Sequence, residues 1–181
     1  RSQSKAQWPR SREIYQAPLL IVKEMLLGSP RVLAAVSERD LVFTNSYFAV
    51  SLPRGHTRTA HLLATVLSSA FATWFFYLTA AEFGIYKRKL LARDLSFLPV
   101  PNFTSAVKSE AGQRLLQIEK NLHANGTDER GWAELDEAVF DLYELNDADR
   151  TVIRDGLLRA GWQWETGRES SVEPSDSRTE V

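Results

Sequence analysis

TRTAHLLATVLSSAFATWFFYLTAA, residues 57–81, is the stretch on which the fold turns. Its apolar side chains Leu62, Leu63, Val66, Leu67, Ala70, Phe71, Trp74, Phe75 and Leu78 recur with the i, i+1, i+4 spacing of one helix face. The spacing predicts a single long buried helix, begun by Thr57 or Thr59 as cap and ended before Gly84. No charged residue falls between Leu62 and Ala81, so by length a lone membrane span competes with a core helix. Ser68, Ser69, Thr65, Thr73 and Thr79 dilute the run, and the segments before it need a helix to cover them. The core helix is therefore the expectation, with no membrane partner.

Those preceding segments read as strands. Leu19–Lys23 is a β-branched run after Pro18, which cannot sit inside a helix. Arg31–Ser37 and Leu41–Thr44 flank the charged turn Glu38-Arg39-Asp40 and are expected to form a hairpin, and a fourth strand is expected from Tyr47 to Leu52. Beyond Pro99 and Pro101 the periodicity predicts helices near Ala106–Ala124, Asp128–Leu145 and Ala148–Leu158, the last capped by Asn146 with Asp147 and Asp149. The expected class is α+β: a small, mostly antiparallel sheet on a long buried helix, then a helical C-terminal subdomain. The boundaries fall at 8–103, 104–164 and a tail over 165–181 with almost nothing to bury.

Charge divides along nearly the same line. Residues 1–108 carry 14 Lys+Arg against 6 Asp+Glu, a balance of +8, while residues 109–181 carry 8 against 17, a balance of −9. A cationic half gains affinity for a polyanion by releasing counterions, which points to nucleic acid; a dipolar protein whose halves attract each other is the bland alternative. The absence of cysteine excludes disulfides and thiolate chemistry and suits a cytoplasmic setting. His56, His61 and His123 are too scattered for a sequence-local metal motif, no phosphate loop occurs, and no Gly-x-Ser-x-Gly elbow marks a nucleophile. Asp136-Glu137 and Asp147 with Asp149 read as solvated or capping acids. No catalytic residue, metal ligand or cofactor site is expected in this chain, which opens on Arg1 and reads as a fragment of a longer protein.

Two basic groups bracket the predicted helix. After it come Tyr86, Lys87, Arg88 and Lys89, with Arg93 close behind; before it come Arg54, His56 and Arg58. Lys and Arg neutralise phosphates, Arg also reads base edges, and Tyr packs on sugar or base, whereas solvated loops would carry the same residues for solubility alone.

The order of segments resembles the C-terminal recognition region of bacterial N6-adenine DNA methyltransferases of restriction-modification systems, over most of residues 8–160. Arg12 to Lys23 (REIYQAPLLIVK) looks like the entry to that domain, and Leu41 to Val50 (LVFTNSYFAV) like its following strand pair. Leu62 to Ser69 (LLATVLSS) resembles a helix that commonly reads LLALLNS, with Ser68 in place of Asn. Asp94 to Pro101 (DLSFLPVP) resembles the closing DL..LPIP signature, and Leu135 to Leu145 (LDEAVFDLYEL) the helix LDELVYELYGL, with Glu144 in place of Gly.

The resemblance implies sequence-specific binding of double-stranded DNA by a fragment that is not itself an enzyme. The Asn-Pro-Pro-Tyr type motif and the glycine-rich turn for S-adenosylmethionine would belong to a catalytic methyltransferase domain upstream, which would be both the home of that cofactor and a partner of this region. A nuclease activity could accompany it there. Lys87, Arg88, Lys89, Arg93, Arg54 and Arg58 are the expected DNA contacts, joined by Tyr86, His56 and Asn45. The competing expectation is a protein-interaction module, in which the acidic helices dock a partner and Trp162 and Trp164 serve an interface.

Overall fold

The computed structural model describes residues 12–25, 31–83, 89–125 and 128–161. The architecture is α+β, with one three-stranded antiparallel sheet and seven α-helices among the described residues. β1 (Leu19–Lys23) lies between β2 (Ala34–Ser37) and β3 (Tyr47–Ser51), giving the order β2-β1-β3. Leu20 is opposite Val36 on one side and Val50 on the other, so the central strand buries its β-branched and Leu residues between two partners.

The strand expected at Leu41–Thr44 is not formed, and the hairpin with it. Beyond β2 the chain turns back to the segment ahead of β1: the Ala17 amide donates to Asp40 Oδ1 (3.0 Å) and the Leu41 amide to the Tyr15 carbonyl (3.1 Å). Phe43 then meets the Tyr15 ring at 5.2 Å. With these bonds made outside the sheet, the segment has no ladder to join, and Val42 stays 83% exposed.

The long helix is two. α1 (Thr57–Leu67) and α2 (Ala70–Thr79) meet at a 65° bend. Both serines at the break are used: Ser69 Oγ accepts the Ala72 amide (3.2 Å) and caps α2, while Ser68 Oγ accepts the Ala34 amide (3.3 Å) from β2. No single helix among the described residues is long and apolar enough to cross a membrane; only the bent pair has the combined apolar length.

α3 (Ala92–Leu95) and α4 (Phe103–Ala106) are single turns leading to α5 (Glu110–Asn125), α6 (Glu129–Leu142) and α7 (Asp147–Arg159). α5 packs on α1 and α6, and α7 on α2. One hydrophobic core runs from Leu20 and Val22 through Leu62 and Phe76 to Leu115, Leu135, Phe140 and Leu157. It crosses the expected boundary between residues 103 and 104 without interruption. The tail over 165–181, Trp162 and Trp164 lie outside the described residues.

Candidate nucleic-acid interface

β3 feeds directly into the first basic group. After Ser51 the Leu52 amide closes on the Pro18 carbonyl (2.9 Å), and a turn over Pro53–His56, with Gly55 at φ +89°, redirects the chain into α1. His56 holds the N-cap position but contributes no side-chain cap, and the first turn of α1 contains no acid. The first intrahelical bond is from the Ala60 amide to the His56 carbonyl (3.0 Å), so earlier amides face outward at the positive end of the helix dipole. Arg54, His56 and Arg58 are all exposed around this end. Arg58 is steadied from α5, donating from Nη2 to Gln113 Oε1 (2.8 Å), a neutral partner that leaves its charge uncompensated by that contact.

The second group is split. Tyr86, Lys87 and Arg88 lie outside the described residues. Lys89 is half-buried and paired through Nζ with Glu24 Oε1 at 3.0 Å, beside a bridge between Met25 and Lys89. Its ammonium is held above the usual lysine range by the Glu24 hydrogen bond first and the Glu24 charge second. Lys89 therefore serves an internal ion pair. Arg93 on α3 is exposed; its neighbour Asp94, 3.9 Å away, is buried and accepts the Leu91 amide (2.9 Å).

Asn45 sits exposed in the turn before β3. It shares a groove of about 700 Å³ with α3, floored by Leu20, Leu63 and Leu67 and walled by Phe48, Val50 and Leu98. The structure thus gathers Asn45 and the helix bearing Arg93 at one groove, and places Arg54, His56 and Arg58 together at the start of α1.

Two partly buried polar contacts were not anticipated. Asp136, expected to be solvated or capping, instead accepts both Arg31 guanidinium nitrogens (2.8 and 2.6 Å) and the Ala70 amide (2.7 Å) at the start of α2. Arg31 is 5% exposed, donates also to the Ser68 carbonyl (3.2 Å) and lies 4.8 Å over the Trp132 ring. The partners are 105 residues apart, so no local pattern announces them. Likewise His61 Nδ1 lies 2.5 Å from the buried Glu119 carboxylate, with His123 at 3.8 Å from the same group and Glu38 at 3.6 Å from His61 Nε2. Among the described residues no three His, Asp or Glu side chains converge as a metal site. Both contacts tie the first half of the chain to the second. No family model matches the chain, and no curated protein matches it.

Proposed function

We propose that this chain binds double-stranded DNA sequence-specifically, as the target-recognition region of a bacterial N6-adenine DNA methyltransferase or restriction-modification enzyme in the cytoplasm. The observation that carries the reading is the cluster of Arg54, His56 and Arg58, exposed around a helix start without side-chain cap or first-turn acid, within a segment of net charge +8. Such a cluster suits a phosphate backbone. Asn45, which lines the groove beside β3, and Arg93, exposed on the short helix next to it, would meet the same duplex, and Lys87, Arg88 and Tyr86 extend the set in sequence. Methyl transfer, and the S-adenosylmethionine it consumes, would belong to a catalytic domain elsewhere in the protein; this region would hold and read the duplex.

The test is selection from a pool of random duplexes at low and moderate salt, with sequencing of the retained fraction. One short enriched motif is the expected result. Reversing Arg54 and Arg58 to Glu should weaken binding and flatten its salt dependence by about two counterions. Unchanged affinity at both salt concentrations would remove these residues from the interface.

A second reading is favoured by the groove itself, whose lining is mostly apolar and suits a protein segment better than a phosphate. In that reading the chain docks a partner or the catalytic domain and has no DNA affinity of its own. A stable complex with the catalytic domain, without retention of any duplex, would decide for it.

A further inference from the structure

Phe97 keeps 68% of its surface exposed, although the turn that carries it is closely made. Its amide donates to the Asp94 carbonyl (3.1 Å), Ser96 Oγ donates to the Arg93 carbonyl (2.6 Å), and the Asp94 carboxylate reaches back to the Leu91 amide (2.9 Å). Leu98, next in sequence, is 5% exposed and belongs to the core. Turning the segment to hide Phe97 would bring Leu98 out, so the ring is held outward by the same bonds that bury its neighbour.

One helical turn before it stands Arg93, its side chain 69% exposed. Asp94, the one carboxylate on α3, is buried. The short helix and the turn that follows it therefore carry a guanidinium and an aromatic ring four residues apart, both largely exposed, while Asp94 Oδ1, 3.9 Å from Arg93 Nε, belongs to a buried carboxylate that also accepts the Leu91 amide. An aromatic face paired with a cation is the chemistry that takes a nucleobase by stacking and its phosphate by charge. A purely apolar partner surface would add nothing for Arg93 beyond its 3.9 Å contact with Asp94.

Resting on the reading of the chain as a DNA-binding region, we propose that Phe97 is a base-stacking residue, its ring packed against the face of a base displaced from the helical stack while Arg93 sits on a flanking phosphate. The rigid turn supplies what such a wedge requires: a ring already extended, with little rearrangement on binding.

The experiment uses the full chain and the duplex recovered by selection, substituted with 5-iododeoxyuridine at successive positions and irradiated. Crosslinking confined to one or two positions and mapped to Phe97 is the expected result. Phe97→Ala should weaken binding about tenfold with unchanged thermal stability, since stacked aromatics contribute on that scale. Phe97→Trp should retain affinity, and Phe97→Leu, apolar but without a π-face, should behave like Ala.

Wild-type affinity in Phe97→Ala, or in Phe97→Leu, overturns stacking while leaving DNA binding intact. Duplex binding with no crosslink at Phe97 does the same. A chain that retains no duplex at all overturns both readings, and loss of a protein complex by Phe97→Ala would then make the ring a partner contact.

Discussion

Asp136 accepts two guanidinium nitrogens from Arg31 and the amide of Ala70, so one carboxylate answers a buried cation and a helix start together. Asp136→Asn keeps the shape and removes the charge, and should cost about 3 kcal/mol, because a buried guanidinium then lacks its carboxylate. Arg31→Met combined with Asp136→Leu should cost less than that single change, since both desolvated charges leave together; urea unfolding of the three proteins checks the order. Tyr143 offers a second measurement. Its hydroxyl donates to the Pro99 carbonyl (2.7 Å), and burial raises the phenol well above its ordinary value of 10. A raised folded-state value means the neutral phenol is favoured by folding, so this stabilisation is whole below pH 10 and is lost as pH climbs from there. Between pH 8 and pH 11 the wild type should lose about 1 kcal/mol more than Tyr143→Phe, read from urea unfolding at the two pH values. Neither side chain was legible in the sequence in this role: Asp136 looked like any acid on a polar helix face, and its partner is far away in the chain.

At the scale of elements, only Val107, Lys108 and Ser109 separate α4 from α5, and Gly112 is what permits their close approach. A Cβ there would stand 1.9 Å from the Ala106 carbonyl oxygen, a backbone atom with no freedom to withdraw. Gly112→Ala should therefore destabilise by about 2 kcal/mol or more despite alanine's better helix propensity, lowering the thermal midpoint by several degrees. β1 was legible from Pro18 and its β-branched run, and α6 and α7 from their stripes and caps, because those signals are local. The bend between α1 and α2 was not. A two-residue break leaves the apolar spacing almost in phase, and the bonds that fix it come from β2, Arg31 and Asp136. The hairpin was misread for the converse reason: Leu41–Thr44 has the composition of a strand, but its first amide, Leu41, is drawn to the Tyr15 carbonyl ahead of β1. Of the candidate site, Arg54, His56 and Arg58 emerged together because they are sequence neighbours at a helix start. The Lys89 pairing depended on Glu24, which the sequence places 65 residues away.

At the scale of the whole molecule, the described residues of the positive and negative halves share one continuous core. His61 with Glu119, Arg31 with Asp136 and Arg58 with Gln113 all join the first half to the second, and the core beneath them is continuous. A chain cut to residues 8–103 loses Leu115, Ile118, Leu135, Phe140 and Leu157 from that core. It should show no cooperative thermal transition, whereas residues 8–164 should unfold in one; circular dichroism melts of the two lengths distinguish the cases. The Asp136 contact also orders events in time. The Ala70 amide at the start of α2 is satisfied by a side chain 66 residues further along, so a chain emerging from a ribosome displays the apolar surface of α2 before one of the two acceptors at its first turn exists. Synthesis must run through α6 before the Asp136 bonds at the bend can form, and until then the most apolar segment of the protein is the one most in need of protection from self-association.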